Sequence, residues 1–308
     1  MNLETVSYCL FVAVLALSII VDVSAVYRNK GIMSTKDALR QYLLWVFIAL
    51  AYGVYLFVAV GADTGLLYFA AYTTEVSLSI DNLFVFILIF SALKIEKNYI
   101  EKVLTIGIFL AILFRIVFIF IGIALIHQFE WILLVFAVFL IYTAFKMFFQ
   151  KEEDTMNIKE GRLYKFLCTY LRFSEEDSKG KYRITVDGKK FFTGLSLAVL
   201  LIGISDIAFA MDSIPAVLAI TTDKLVVYSS NIFAILGLRA LYFILERAKD
   251  KFDYVQQGVA LVLLFVGVKI FGAYFFPEFE ISPLLSFLVI LATIGGSILI
   301  SYFYDKPE

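Results

Sequence analysis

Long apolar runs recur along this chain, separated by short polar stretches. A membrane-spanning helix needs about 20 mainly apolar residues. Nine runs fit: 6–27, 40–61, 66–92, 102–126, 129–149, 191–220, 225–246, 254–276 and 282–304. The polar stretches between them are of two kinds. Arg28, Lys30, Lys36 and Arg40 follow the first run, and Lys94, Lys97 and Lys102 follow the third. Most of the remaining Lys and Arg lie between the fifth and sixth, and Arg247, Lys249 and Lys251 follow the seventh. The alternate stretches are almost free of basic residues: Asp63, then His127 and Glu130, then Asp223 and Lys224, then Glu278 and Glu280. The positive-inside rule then predicts an external N-terminus and a cytoplasmic C-terminus.

Residues 150–190 form the one sizeable polar segment. Leu163, Phe166, Leu167, Tyr170 and Leu171 recur at helical spacing beside Arg162, Lys165 and Arg172. That predicts a short amphipathic helix at the membrane surface. Tyr182 to Lys189, with an Asp187-Gly188 turn, predicts a small β-hairpin. The plainest role for the segment is a solvated connector.

Composition agrees with the runs. Hydrophobic residues are 62% of the 308, and mean hydropathy is +0.91, against about 45–50% apolar in ordinary globular domains. The net charge of −1 gives no field for nucleic acid. Cys9 and Cys168 are too few and too distant for a disulfide framework or a zinc cluster. The first run lacks the basic flank of a cleaved signal and is expected to remain a helix.

Charge inside the runs changes the picture more. The third run contains Thr74-Glu75-Val76-Ser77-Leu78-Ser79-Ile80-Asp81-Asn82, and the sixth contains Ser205-Asp206 and Asp212-Ser213. A carboxylate at the centre of a span costs about 2.5–3.5 kcal/mol on insertion scales, so it marks function or a buried partner. At about 100° per residue, positions i and i+6 diverge whereas i and i+7 share a face. Glu75 therefore aligns with Asn82, beside a stripe of Thr74, Ser77 and Asp81. In the sixth run Asp206 aligns with Ser213, and Ser205 with Asp212. Pro215, with Gly203 and Ser205 upstream, predicts a kink or break there that would free carbonyls.

The two acidic stretches are halves of a repeat. Each is followed one run later by an arginine, Arg115 or Arg239, and two runs later by a lysine, Lys146 or Lys269. The arginine–lysine separation is 31 residues in one copy and 30 in the other. Because each copy has an odd number of spans, the two cross the membrane in opposite senses, an arrangement typical of transporters with a mid-membrane site. The predicted fold class is therefore an all-α polytopic membrane protein, about nine transmembrane helices with two inverted three-helix repeats. Its parts are two N-terminal helices (1–61), the first repeat (62–149), a cytoplasmic loop (150–190), the second repeat (191–276) and a C-terminal helix (277–308).

The candidate ligands are Glu75, Asp81, Asn82, Asp206 and Asp212, with hydroxyls from Ser79, Ser205 and Ser213. These are hard oxygen donors, suited to Mg²⁺, Mn²⁺ or Ca²⁺ rather than to zinc or copper. Several carboxylates at one place repel unless some are protonated or a cation joins them, which suggests alternation of metal and proton. Arg115 and Arg239 are expected as supports, and Lys146 and Lys269 as further partners, unless Lys146 snorkels. Asp22 either faces the same cavity or pairs with Arg28 or Lys30. No organic cofactor is expected; the partners are the lipid bilayer, a divalent metal ion and protons. A purely structural set of ion pairs is the bland alternative, and such pairs bring little net stability.

Three stretches resemble the TerC/Alx family of integral membrane proteins: Glu75 to Phe86, Asp206 to Ala216, and Ser230 to Phe243. The resemblance implies metal-ion homeostasis, with Mn²⁺ export as the activity and Glu75, Asp81, Asn82, Asp206 and Asp212 as functional residues supported by Arg115 and Arg239. Where the family commonly has a Glu shortly before the second acidic motif, this chain has Gly203. A bacterial inner (plasma) membrane location is expected. Competing readings are a Ca²⁺ or other cation transporter of the same architecture, and a non-transporting scaffold linked to metal or tellurite resistance. An intramembrane aspartyl protease is disfavoured, since no Gly-x-Gly-Asp motif occurs, and no enzymatic activity is expected.

Overall fold

The protein is described from a computed structural model over residues 3–28, 33–129, 131–149, 173, 180–186, 189–248, 254–276 and 281–303. Among the described residues there are ten helices and one two-stranded sheet: α1 Leu3–Arg28, α2 Thr35–Ala59, α3 Ala62–Ala92, α4 Lys97–Gln128, α5 Ile132–Phe149, β1 Arg183–Val186, β2 Lys189–Phe192, α6 Gly194–Ile220, α7 Lys224–Leu236, α8 Leu238–Ala248, α9 Val255–Phe275 and α10 Pro283–Phe303. Each predicted run coincides with one helix, or, for 225–246, with the α7–α8 pair. Among the described residues six helices are individually long and apolar enough to cross a membrane, and seven if the bent α7–α8 pair is one span. The protein is thus an all-α polytopic membrane protein.

Its surface is what lipid requires. Val58 is 78% exposed, Phe149 73% and Phe303 74%, values a water-facing surface would avoid in such numbers. In hydrocarbon every backbone polar group must bond within its own helix. The start of α7 is capped: the Asp223 carboxylate accepts from the Leu225 and Val226 amides at 2.8 and 3.2 Å, leaving fewer orphan donors at that terminus.

Small residues set the helix spacing, as expected where apolar burial gives no preference for protein over lipid. Gly107 lies against Ile202, and Gly122 against Ile214 and Leu218. α4 and α6 therefore run side by side in the same sense. Gly258 lies against Ser297, and the Lys269 ammonium donates to Ser286 Oγ at 2.9 Å, so α9 and α10 form an antiparallel hairpin. Gly267 seats α9 on α5: a Cβ there would stand 3.0 Å from the Ala137 carbonyl oxygen and 2.8 Å from Ile141 Cγ1. We expect Gly267→Val to destabilise the purified protein by about 1–3 kcal/mol through overpacking, read as a lower Tm in detergent. Gly295→Ala, where nothing lies within 4 Å, should leave Tm unchanged.

One expectation about breaks is corrected. The sixth run is not interrupted: α6 is one continuous helix with Pro215 inside it. α6 packs against α3, α4 and α5, and such neighbours let a spanning helix tolerate a proline. The break falls instead in the seventh run, where α7 and α8 meet at Gly237 with a bend of 43°, glycine being a common site of helix kinks. The boundary of the sixth run also shifts, because Phe191 and Phe192 belong to β2.

The hairpin is as expected. β1 and β2 pair antiparallel with Arg183 opposite Phe192 and Val186 opposite Lys189; the Asp187-Gly188 turn lies outside the described residues. It is tied to the start of α6: Thr193 Oγ1 donates to the Lys181 carbonyl at 2.8 Å, and the Ser196 hydroxyl donates to the Tyr182 carbonyl. The amphipathic helix predicted over 163–171 lies outside the described residues.

Candidate functional site

The charged interior is assembled from the middle of four helices. Glu75 sits about 20 Å into α3 and Asp206 about 18 Å into α6, at 1.5 Å per residue. Glu75 is fully buried, Asn82 4% exposed, Asp206 1% and Ser213 1%. The i and i+7 alignments predicted from sequence are therefore both turned into protein. Ser79 and Thr74 are also buried, whereas Ser205 is half-buried. The neighbouring Ser77 hydroxyl is used internally, donating to the Thr73 carbonyl at 2.6 Å. Asp81 lies on α3, Asp212 on α6 and Asp22 on α1, and their side chains are outside the described residues.

Arg115 of α4 is the hub. Its guanidinium, fully buried, ion-pairs with Glu75. Its Nη1 donates to Asn231 Oδ1 of α7 at 2.9 Å, and its charge interacts with the Asp206 carboxylate. Asn231 is held from its other end, Nδ2 donating to the Val227 carbonyl at 3.2 Å. The arrangement joins both halves of the chain at one cation.

Arg239 pairs with Glu101 of α4 at 3.4 Å, both side chains being buried. Among the described residues Lys269 donates to Ser286, and Lys146 is exposed. Sequence reasoning missed Glu101 and Asn231. Glu101 stands between Lys97 and Lys102 and reads as a loop charge. Asn231, an amide in an apolar run after Ser229 and Ser230, carried the same signal that singled out Asn82.

Buried polar atoms are nearly always hydrogen-bonded, and each one left alone costs about 1–3 kcal/mol. Among the described residues most of the exceptions lie in the two motifs, and Nε and Nη2 of Arg115 are also among them. Thr74 Oγ1, Glu75 Oε2, Ser79 Oγ and Asn82 Nδ2 on α3, with Asp206 Oδ2 and Ser213 Oγ on α6, are buried without a hydrogen-bond partner. Helices α3 and α6 pack against each other. The set is rich in hard oxygen donors, with two carboxylates against one guanidinium. Among the described residues no three His, Cys, Asp or Glu side chains converge as a ready-made metal cluster.

A polytopic helical membrane protein with an ion-paired interior is the class these features define. The model of the integral membrane protein TerC family matches residues 60–308, and the chain belongs to that family. It is 40% identical over 292 residues to the uncharacterized membrane protein STKORF319 of Myxococcus xanthus, covering 94% of this chain and 90% of that one. It is 38% identical over 266 residues to the chloroplastic thylakoid membrane protein TERC of Arabidopsis thaliana, covering 86% and 68%. With the membrane-bound protein Alx of Salmonella typhi it shares 36% identity over 250 residues, covering 79% and 77%. No solved structure matches.

Proposed function

We propose that the chain is a secondary transporter that exports a divalent cation, Mn²⁺ before Ca²⁺ or Mg²⁺, in exchange for protons. The observation that carries this reading is the group of partnerless buried oxygens on α3 and α6 around Arg115. Oxygens placed out of water without partners are suited to a ligand that supplies positive charge. A divalent cation of the Mn²⁺ class matches their chemistry, and the TerC family membership directs the choice to manganese. When the cation leaves, protons can replace it on carboxylates that would otherwise repel. Glu75, Asp81, Asn82, Asp206 and Asp212 form the site in this reading, helped by Ser79, Ser205 and Ser213.

The architecture follows the same logic. α1 and α3 complete nine spans, with the N-terminus outside and the C-terminus in the cytoplasm of a bacterial inner membrane. Residues 62–149 and 191–276 are inverted repeats. α3 and α4 each pack on both α6 and α7, and α5 packs on α9, an extensive contact between the two halves that supports a site between repeats.

Flux into proteoliposomes decides the matter. Purified protein should carry Mn²⁺, faster when a proton gradient opposes it, and should carry Ca²⁺ and Mg²⁺ more slowly. Folded protein that moves none of the three, with or without a pH gradient, would overturn the reading.

A further inference from the structure

Resting on the transport reading, we infer that Asn231 is a positioning residue of the site: it holds the Arg115 guanidinium while Glu75 turns to the cation, and so sets how tightly the cation binds. A guanidinium buried in the membrane interior cannot be left without acceptors. Arg115 has two on opposite halves of the chain, the Glu75 carboxylate on α3 and Asn231 Oδ1 on α7 at 2.9 Å. A cation at Glu75 competes with Arg115 for the same carboxylate. Whatever still holds Arg115 during that exchange decides its cost.

Asn231 has the properties this requires. It is fully buried, in the interior of a helix, where asparagine is a poor helix former. Its amide is oriented by its own backbone, since Nδ2 donates to the Val227 carbonyl at 3.2 Å; this leaves Oδ1 aimed at Arg115. It is also neutral. A carboxylate in its place would take Arg115 permanently and leave Glu75 unopposed. An apolar side chain would leave Arg115 only the Glu75 carboxylate and the charge of Asp206, and the cation would have to break the Glu75 pair with less compensation. A hydrogen bond to a charged group is strong enough for each change to move affinity about tenfold.

The two substitutions therefore have opposite signs, which no structural role alone would give. In proteoliposomes of the full chain, with Mn²⁺ as the probe, Asn231→Asp should lower the half-saturating concentration about tenfold and reduce the maximal rate, because the cation leaves slowly. Asn231→Leu should raise half-saturation about tenfold. Should the leucine variant fail to insert, Asn231→Ser carries the same expectation, its hydroxyl stopping short of the guanidinium. Half-saturation that is unchanged, or that moves in one direction for both kinds of variant, overturns the assignment while wild-type flux persists. Wild-type protein that carries no divalent cation overturns the transport reading itself, and this assignment with it.

Discussion

Asp206→Asn should abolish divalent-cation flux, reducing it about a hundredfold or more, while leaving the protein folded. Glu75 and Asp206 oppose a single buried guanidinium, Arg115, so with both acids ionised one negative charge is uncompensated even before Asp81 and Asp212 on the same helices are included. A divalent cation would balance that excess. At an effective dielectric constant near 20, two unit charges 4 Å apart interact by about 4 kcal/mol, and about 1.4 kcal/mol is a tenfold change in binding. Loss of one carboxylate therefore weakens the site severely although the shape of the side chain is kept. Stability should not fall with it. Asp206 Oδ2 has no hydrogen-bond partner to lose, and a buried carboxylate becomes a neutral amide, which is less costly to desolvate. Flux in proteoliposomes and Tm in detergent check the two halves separately. The same loss is expected for Asp81→Asn and Asp212→Asn, each of which should leave cells lacking the native gene loaded with manganese. Normal flux in Asp206→Asn, or normal cellular manganese with both other variants present in the membrane, would count against a carboxylate site.

Much of this was legible in the sequence because the membrane imposes simple rules. Runs of about 20 apolar residues must be helices, and the helices appear where the runs are. The alignment of Glu75 with Asn82 and of Asp206 with Ser213 followed from helical periodicity, and all four are buried. What was not legible depends on partners distant in the chain. Glu101 looks like one more loop charge until Arg239 is brought against it. Asn231 looks like a polar interruption until Arg115, 116 residues away, is seen to donate to it. Arg115 pairs with Glu75 of the first acidic motif and Arg239 with Glu101, and no local pattern announces either partner. Pro215 promised a break, but packing holds α6 together and Gly237 provides the bend instead. Local composition identifies where a helix can yield; the neighbours decide where it does.

Arg115→Met should be the most destabilising single change at the site, and Glu75→Gln should largely reverse it. Methionine approximates the length of the arginine stem without its charge, so the loss is mainly electrostatic. Removing one member of a buried ion pair strands the other and costs about 3–5 kcal/mol, whereas replacing both members with neutral groups is often close to neutral. In Arg115→Met the Glu75 carboxylate loses its ion-pair partner, Asn231 Oδ1 loses its donor, and Asp206 loses the cation whose charge it feels. The expected result is a large fall in Tm and in the amount of protein recovered from the membrane. In the double variant Glu75→Gln/Arg115→Met the stranded carboxylate is gone, and Tm should recover most of the loss. Transport should not recover, because the double variant has given up a site carboxylate along with the arginine that opposed it. Those two readouts separate the work of the pair. If the double variant is as unstable as Arg115→Met alone, Glu75 is not the group that needs the arginine, and Asp206 becomes the candidate. If the double variant transports as well as wild type, Glu75 and Arg115 serve only the fold.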